Sequence, residues 1–300
     1  MIPLARKLLS FPPAKRAALR LLAKKGEPLR LGFVLHTEMI YDGIVFERLK
    51  SLGASLPFKP MLCVMTPKNP YIKHAMEQRG VSEVEFNKRL RTLSERYEVG
   101  FHGHWCTAVA ASAPAADRKH MTRIEKAGFA LTIDNPEEIR KQFKSEVGYL
   151  AAQGYKPAVY SAGWWHLNES VVGLLDEHGF SADCSVRYPY ADSFGKRYIT
   201  PEKLPPQGDI FYLPPSKQVR ELHSVFYLHM KWWTLVKELL PVLRRKEGPL
   251  FCVLPTHDYD LVEGIGKVKE NIEFLSRLPN VQWLSMSDIL REAGRIKEIA

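Results

Sequence analysis

Residues 97–106 read Tyr-Glu-Val-Gly-Phe-His-Gly-His-Trp-Cys, an apolar run that ends in two histidines and a cysteine. Val99–Phe101 is predicted as a buried strand, so the polar residues follow its carboxyl end. His102 and Cys106 would lie on one side of a tight turn or a first helical turn. An imidazole and a thiolate suit Zn²⁺, and the carboxylate of Glu38 could supply a third ligand. The stretch predicts part of a metal site; the alternative is that both histidines are hydrogen-bonded loop residues and the cysteine is a buried thiol.

Short apolar runs of the same kind recur from residue 31 to the end of the sequence. They are apolar throughout instead of alternating, which is typical of parallel strands buried on both faces. Helix-like patterns separate them, and about seven or eight such βα units favour a barrel over an open sheet. The predicted strands are Leu31–Leu35, Met61–Met65, Val99–Phe101, Ala158–Ala162, Ala182–Ser185, Ile210–Leu213, Leu250–Leu254 and Val281–Leu284.

The helix-like segments have recognisable ends. Asn135-Pro136, with acidic residues behind it, marks a helix start, and Gly154 and Gly179 mark helix stops. No GxGxxG or GxxxxGK[ST] motif follows a predicted strand, so a dinucleotide or P-loop site has no support. Arg187–Pro215 is rich in Pro, Tyr and Gly and is predicted to be a long ordered loop over one mouth. The predicted helices are Ser82–Tyr97, Pro136–Gln153, Glu169–His178, Met230–Arg245, Gly266–Arg277 and Ser287–Glu298.

Polar or aromatic side chains stand at the carboxyl ends of several predicted strands. In barrels of parallel strands these ends form one face, and active sites are built there. Side chains from the opening and closing thirds of the sequence would therefore converge on one site. The candidates at this face are His36, Glu38, His102, His104, Cys106, Trp164, Trp165, Asp183, His257 and Asp258.

His257 is a candidate general acid, because the adjacent carboxylate of Asp258 could orient its ring and stabilise the protonated form. The alternative is a histidine on a surface loop. Trp164 and Trp165 would offer flat faces on which a sugar ring can stack, or they could belong to the core. The other histidines lack obvious partners and are interpreted as structural: His74, His120, His166, His178, His223 and His229.

The positive charge of the chain is concentrated at its beginning. The sequence of 300 residues has a formal net charge of +10, and residues 1–30 contain eight Lys/Arg and one acidic residue. This predicts a basic amphipathic leader, residues 1–30, before a single domain, residues 31–300. The leader could dock on anionic lipid or could be a solvated segment that packs on the domain. Nucleic-acid binding is disfavoured, because the rest of the chain is nearly neutral.

The cysteines favour a reduced, cytoplasmic protein. They are far apart and form no CxxC pair, and such usage is untypical of secreted disulfide-bonded domains. No apolar run approaches the ~20 residues that a membrane helix needs. The leader also lacks the uninterrupted apolar core of a signal peptide. We therefore expect a cytoplasmic location, with peripheral contact at the inner membrane surface as the role of the leader.

Four stretches resemble, in order, those of the NodB-homology polysaccharide deacetylases, a type of carbohydrate esterase. Tyr97–Cys106 is similar to the family's Glu-hydrophobic-Gly-x-His-x-x-x-His stretch, and 159–169 to its Phe-Arg-Ala-Gly-x-Trp-x-Leu-Asn segment. Val172–Ser185 is similar to the following helix and Asp-Ser-Ser strand, and Leu254–Asp258 to the late motif with the catalytic histidine. The resemblance extends over nearly the whole chain after the leader. It is strongest to the divergent subgroup found in O-antigen and other surface-polysaccharide gene clusters.

The resemblance implies a distorted (β/α)7 barrel and a hydrolase of amide C–N bonds that removes an N-acetyl group from a sugar. In the family, metal-bound water attacks the amide carbonyl, a base takes its proton, and the late histidine acts as acid. By position, Glu38 and His102 match metal ligands and His257 matches the acid. The implied substrate is an N-acetylated sugar or glycan intermediate of O-antigen-type biosynthesis, and the implied cofactor is a divalent metal, with zinc favoured.

Three positions depart from the family pattern. His36 stands where a catalytic aspartate is expected, Cys106 where a second metal histidine is expected, and Ser161 where an arginine is common. His36 could serve as the base, since a neutral imidazole has a suitable pKa, or it could bind the metal. Cys106 would be the third ligand. The alternative is an inactive or altered barrel that binds carbohydrate. The residues expected to contact substrate are His104, Trp164, Trp165, Asp183 and Asp258.

Overall fold

Nine strands form a single sheet in the part of the chain that the computed structural model describes, namely residues 28–106, 135–186, 205–225, 227–246 and 248–293. Most of the predicted leader and the first part of the predicted loop Arg187–Pro215 lie outside these residues. The strands are β1 (Leu29–Thr37), β2 (Met61–Val64), β3 (Glu98–Gly103), β4 (Val159–Ala162), β5 (Ala182–Asp183), β6 (Ile210–Tyr212), β7 (Arg220–Leu222), β8 (Leu250–His257) and β9 (Val281–Trp283).

Helices connect most of these strands. A 3₁₀-helix, Gly163–Trp165, directly follows β4. The α-helices of the described residues are α1 (Gly43–Ser55), α2 (Pro70–Gln78), α3 (Glu83–Ser94), α4 (Pro136–Ala152), α5 (Glu169–Glu177), α6 (Trp232–Leu243), α7 (Leu261–Ser276) and α8 (Met286–Ala293). In the described part of the chain, we find no helix with the length and apolar character needed to cross a membrane.

The parallel strands form a nearly closed barrel. Their order is β7-β5-β4-β3-β2-β1-β8, with β6 antiparallel to β7 at one end and β9 parallel to the start of β1. Ser224, just beyond β7, pairs with Val253 of β8. The Val225 amide donates to the Val253 carbonyl at 2.8 Å, and the Val253 amide donates to the His223 carbonyl at 3.0 Å. These bonds join the two ends of the strand row, so the chain has the barrel that its βα pattern predicts.

Both faces of the strands are buried, as their continuous apolar character predicts. Val34 and Val253 belong to a small cluster inside the barrel, whereas Phe33, Leu35 and Leu254 belong to the larger cluster between sheet and helices. Side chains alternate between these two layers along each strand. Toward the carboxyl end of the barrel, the inward positions change from apolar to polar residues, which are His36, His102, Ser161 and His257.

The strand predictions agree with the structure except at short and polar segments. β5 is confined to Ala182–Asp183, and β8 extends to His257. Strand β7 and helices α1 and α2 were not predicted. The predicted stops Gly154 and Gly179 have positive φ angles of 86° and 73°, which glycine adopts without strain. The last predicted helix, Ser287–Glu298, falls partly outside the described residues.

Candidate metal centre and active site

Three buried side chains meet at the carboxyl end of the barrel. Oε1 of Glu38 lies 3.5 Å from Nε2 of His102 and 3.4 Å from Nε2 of His104. The two imidazole nitrogens are 2.9 Å apart. All candidate ligand atoms of this group lie within 4.8 Å of one another. We refer to Glu38, His102 and His104 as the ligand cluster.

His102 is held by strand β3 with its lone pair directed into the cluster. Its Nδ1–H donates to the carbonyl oxygen of Ser161 at 2.7 Å, which leaves Nε2 unprotonated in the neutral ring. Burial lowers the pKa of His102 to about 4. The ring is therefore neutral at physiological pH and can offer a lone pair.

His104 follows β3 and packs against the chain at the end of β4. A Cβ atom at Gly163 would lie 2.3 Å from three atoms of the His104 ring, so the absence of a side chain there makes room for the imidazole. The carbonyl oxygen of His104 accepts hydrogen bonds from Nδ2 of Asn69 at 2.9 Å and from Nε2 of Gln142 at 3.1 Å. Both the ring and the peptide of His104 are thus positioned by neighbouring elements.

Glu38 is held in place by the carboxylate of Asp258, which directly follows strand β8. Oδ2 of Asp258 accepts hydrogen bonds from the Glu38 amide at 3.0 Å and from the Met39 amide at 2.6 Å. Burial opposes ionisation of Glu38, but the adjacent imidazoles of His102 and His104 hold its pKa well below the usual range. The Glu38 side chain is accordingly an ionised carboxylate.

The ligand cluster fits a divalent cation. Oε1 of Glu38 is buried and has no hydrogen-bond partner among the described residues, although a buried carboxylate oxygen normally has one. A cation coordinated by this oxygen and by the two imidazole nitrogens would satisfy it. One carboxylate and two imidazoles form a donor set that suits zinc and leaves room for a further ligand.

Two more histidines adjoin the ligand cluster. His36 stacks on His102 with ring centroids 4.5 Å apart, and its Nε2 lies 2.9 Å from Oγ of Ser161. Burial, followed by the neighbouring imidazoles of His102 and His257, lowers the pKa of His36 well below its ordinary value, so this ring is neutral. Nε2 of His257 lies 3.9 Å from Oε1 of Glu38. The structure therefore brings four histidines and one carboxylate together.

Asp260, which the sequence reasoning missed, is the carboxylate that orients His257. Its Oδ2 lies 3.3 Å from Nδ1 of His257 and 3.2 Å from Nδ1 of His229. The expectation that Asp258 orients the His257 ring is corrected, because the Asp258 carboxylate accepts from the amides of Glu38, Met39 and Tyr259 instead. Asp260 lies three residues after His257 in the same Thr-His-Asp-Tyr-Asp motif, so the sequence already offered this second carboxylate as a partner for the ring.

Aromatic residues line the cluster near His257. Tyr259 stacks on His257 with centroids 4.7 Å apart, and Tyr227 lies 5.1 Å from the same ring. Trp165 approaches His36 edge-on at 5.8 Å and Tyr227 at 6.1 Å. The backbone φ of Trp165 is 58°, which is unusual for a residue with a Cβ, and such conformations are concentrated at functional sites. The side chain of Trp164 lies outside the described residues.

Cys106 lies outside the ligand cluster. Its Sγ donates to Oδ1 of Asn69 at 3.4 Å, and burial raises its pKa to about 12, so it is a protonated thiol. The expected ligand set of Glu38, His102 and Cys106 thus differs from the group that the structure brings together, in which His104 occupies the third place.

Asp183 is also separate from the ligand cluster. It pairs in register with Tyr160 of β4 and with Glu221 of β7, and its carboxylate accepts from the Ser185 hydroxyl at 2.5 Å. The Ser185 hydroxyl in turn accepts from the Ala162 amide at 2.7 Å. Burial raises the pKa of Asp183. This arrangement supports the end of β4 instead of offering the carboxylate to a ligand.

Comparison with known proteins identifies the fold. No family model and no curated protein matches the sequence. Among solved structures, a Mycobacterium smegmatis protein described as a polysaccharide deacetylase is similar, with a TM-score of 0.59, 14% identity, and coverage of 91% of this chain and 93% of that one. A 4-alpha-glucanotransferase from Thermococcus litoralis has a TM-score of 0.51 and 14% identity, and the match covers 89% of this chain but 40% of the other. At such identities the likeness concerns the fold, and the chain has the barrel fold of the polysaccharide deacetylases that its motifs predicted.

Proposed function

We propose that the protein is a metal-dependent hydrolase that removes an N-acetyl group from a sugar. The observation that carries this proposal is the ligand cluster, a buried carboxylate and two imidazoles at the active-site end of a deacetylase-type barrel, with His257 beside it. In this proposal Glu38, His102 and His104 bind the metal, and zinc is the proposed ion. A bound divalent metal would act as a Lewis acid that polarises the amide carbonyl and lowers the pKa of water.

His36 is proposed as the general base. Its ring is neutral, and its Nε2 faces the hydroxyl of Ser161 at 2.9 Å. The hydroxyl oxygen can accept a hydrogen bond from Nε2–H in both the neutral and the protonated ring, which leaves Nδ1 as the atom that would take the proton. Ser161 can therefore hold the His36 ring in both protonation states. A neutral base also needs no cationic partner, which is consistent with serine at the position where the family commonly has arginine.

His257 is proposed as the general acid. Its Nδ1–H faces the carboxylate of Asp260 at 3.3 Å, while its Nε2 faces the ligand cluster. A carboxylate at Nδ1 stabilises the imidazolium and orients Nε2 toward the departing amine. Asp260 would act on the reaction through His257, as a positioning residue.

The proposed substrate is an N-acetylated sugar or glycan intermediate in surface-polysaccharide biosynthesis of the O-antigen type. Trp165, Tyr227 and Tyr259 support this choice, since their rings surround His257 and His36 and can pack against the apolar face of a sugar. Contact of Trp164 with the sugar remains a prediction. Docking of the leader, residues 1–30, on the cytoplasmic face of an anionic membrane is likewise proposed. Vesicle sedimentation of the full chain and of a chain lacking residues 1–30 would test it, and equal binding would refute it.

Acetate release tests the hydrolase proposal directly. The purified protein would be incubated with a panel of N-acetylhexosamine substrates, with and without a chelator. We expect release that is lost with the chelator and restored by zinc. His257→Ala should lower kcat by about 10²–10⁴-fold, the usual contribution of general acid catalysis, with little change in KM. A turnover in His257→Ala equal to that of the parent protein would remove the acid assignment.

A matched pair of variants tests the ligand set. His104→Ala should weaken zinc binding at least tenfold, because it removes a proposed ligand. Cys106→Ser should bind zinc as the parent protein does, because the thiol hydrogen-bonds to Asn69 outside the ligand cluster. Chelator competition measures both affinities. The opposite result would restore Cys106 as the ligand expected from the sequence.

A carbohydrate-binding barrel without hydrolase activity is the second candidate. The replacement of the family's catalytic aspartate and arginine by His36 and Ser161 favours it. This function predicts sugar binding with no acetate release and no dependence on a metal. A fully folded protein that binds N-acetylhexosamine equally well after exhaustive chelation, and that releases no acetate, would support it over the hydrolase.

A further inference from the structure

Glu146 is a buried carboxylate at a position where the sequence pattern requires an apolar residue. It lies on the inner face of helix α4 between Phe143 and Leu150, and its side chain is fully buried. Burying an ionisable group costs free energy unless hydrogen bonds compensate for the lost solvent. Burial raises the pKa of Glu146 to about 7, although the donors around it act in the opposite direction. The hydrogen bonds of this side chain must therefore offset the free-energy cost of its desolvation.

Three residues donate hydrogen bonds to Glu146. Oε2 accepts from the amide and the hydroxyl of Thr66, both at 3.2 Å. Oε1 accepts from Nδ2 of Asn69 at 3.0 Å and from Nε2 of Gln142 at 3.3 Å. Thr66 and Asn69 lie in the loop after β2, whereas Gln142 lies one turn earlier on α4. The carboxylate therefore joins helix α4 to the loop beside the ligand cluster.

The two amide groups also reach the peptide of His104. Nδ2 of Asn69 and Nε2 of Gln142 each donate to the His104 carbonyl oxygen, at 2.9 Å and 3.1 Å. Each NH₂ group thus bridges Glu146 and His104 with its two protons. Oδ1 of Asn69 accepts from the Tyr71 amide at 3.0 Å and from the Cys106 thiol at 3.4 Å. These contacts fix which end of the Asn69 amide faces the carboxylate.

We propose that Glu146 is a positioning residue for His104, acting through the Asn69 and Gln142 amides that it aligns on the His104 carbonyl. The inference rests on the proposed metal site, since His104 is one of its ligands. The Glu146 carboxyl oxygen accepts from both NH₂ groups and thereby orients their second protons toward the His104 carbonyl oxygen. The peptide of His104 is thereby fixed where the chain leaves β3, and with it the direction from which the imidazole enters the cluster.

Zinc affinity of Glu146→Gln tests the proposal, with zinc alone as the probe. Glutamine retains the shape but replaces one acceptor oxygen by a donor NH₂ group, so it cannot accept all four hydrogen bonds. We expect zinc to bind about tenfold more weakly, within the range found when partners behind a ligand are changed. Gln142→Ala removes one of the two amides that connect Glu146 to the His104 carbonyl oxygen, at a half-buried position, and should weaken zinc binding by a smaller factor. This variant provides an independent measurement if Glu146→Gln folds poorly.

Glu98→Gln is the matched control. Glu98 also accepts from backbone amides, those of Met286 at 2.8 Å and Ser287 at 3.2 Å, but at the opposite end of the same strand β3. Its replacement should leave zinc affinity unchanged while lowering Tm. Equal zinc affinity in Glu146→Gln, Gln142→Ala and Glu98→Gln would overturn the proposal.

Histidine NMR separates this outcome from failure of the proposed function. If the parent protein binds no zinc, the hydrolase proposal fails, and the ring resonances of ¹⁵N-labelled His104 then report the positioning. We expect Glu146→Gln to shift and broaden the His104 signals while those of His223, which is not among the residues bonded to Glu146, stay unchanged. Unchanged His104 signals would refute the positioning role independently of any metal.

Discussion

Replacing Gly163 by alanine should displace one proposed metal ligand, His104, without unfolding the barrel. The added Cβ would lie 2.3 Å from three ring atoms of His104, whereas non-bonded carbon atoms prefer about 3.5–4.0 Å. The ring therefore has to move by roughly 1 Å or more. The rings of His102 and His104 are already close, with centroids 4.6 Å and Nε2 atoms 2.9 Å apart, so the His104 ring cannot simply move toward that neighbour.

The expected loss of affinity follows from the tolerance of metal coordination. Ligand distances in metal sites are held to about ±0.2 Å, and a displacement of roughly 1 Å exceeds this several-fold. We expect Gly163→Ala to bind zinc at least tenfold more weakly than the parent protein. Overpacking should cost about 1–3 kcal/mol in the free energy of unfolding, which a barrel of this size can tolerate.

Chelator competition for zinc affinity and thermal unfolding for stability would measure the two effects separately. Gly173→Ala on helix α5 is the control, because an added Cβ there meets nothing within 4 Å. It should bind zinc normally and raise stability by roughly 0.5–1 kcal/mol, the helix preference for alanine over glycine. An unchanged zinc affinity in Gly163→Ala would refute the placement of the His104 ring or its role as a ligand.

Three further predictions concern acid stability, the proposed acid and the connection between strands. Burial lowers the pKa of His223 from 6.5 to about 4, so between these pH values the unfolded chain binds a proton that the folded chain does not. The free energy of unfolding should fall by up to about 3 kcal/mol as the pH decreases through that window, and His223→Phe should abolish this component in denaturant titrations at several pH values; an identical pH dependence in both proteins would contradict it. Asp260→Asn should lower kcat for acetate release about tenfold or more with little effect on KM, because it removes the charge beside Nδ1 of His257, and a pure KM effect would argue against this role. Asp258→Asn weakens the acceptor for the Glu38 and Met39 amides, so it should reduce zinc affinity and lower the free energy of unfolding by about 1–3 kcal/mol, with a lower Tm. A loss of kcat alone would instead indicate direct contact with the substrate.

The barrel could be predicted because its signal is local. Each long strand is a continuous apolar run between helix-like patterns, and burial on both faces requires that composition. Strand β7, Arg220–Leu222, lacks this signal because it is short and has charged residues. It is stabilised by long-range pairing with β5 and β6, which sequence periodicity does not reveal.

The choice between Cys106 and His104 depended on where β3 ends. A turn directly after Phe101 would place residues four apart on one side, which led to His102 and Cys106. The strand instead continues to Gly103, and in extended chain residues two apart share a face. His102 and His104 therefore point the same way, and Cys106 reaches the Glu146 network.

The contacts of the residues that support the site, such as Asn69 and Ser161, could not be predicted from the sequence. An acidic residue in the inner stripe of α4 is a visible anomaly, but nothing local identifies Asn69 as its partner across the fold. The same holds for Ser161, whose carbonyl and hydroxyl contact two different histidines. Such partners are set by strand order and by the alternation of side chains, which only the folded barrel defines.

The pairing of β1 with β8 has a consequence for assembly of the protein. Glu38 directly follows β1 and His257 ends β8, and the two strands pair His36 with His257 in register, so the site is incomplete until β8 has been synthesised. Pairing strands this far apart in sequence costs loop-closure entropy before the contacts between the strands stabilise the fold, which slows folding. A ribosome-bound chain that ends before β8 would present Glu38 without the Asp258 carboxylate that fixes its backbone. Capture of the proposed metal by a nascent chain that lacks β8 should therefore be weak.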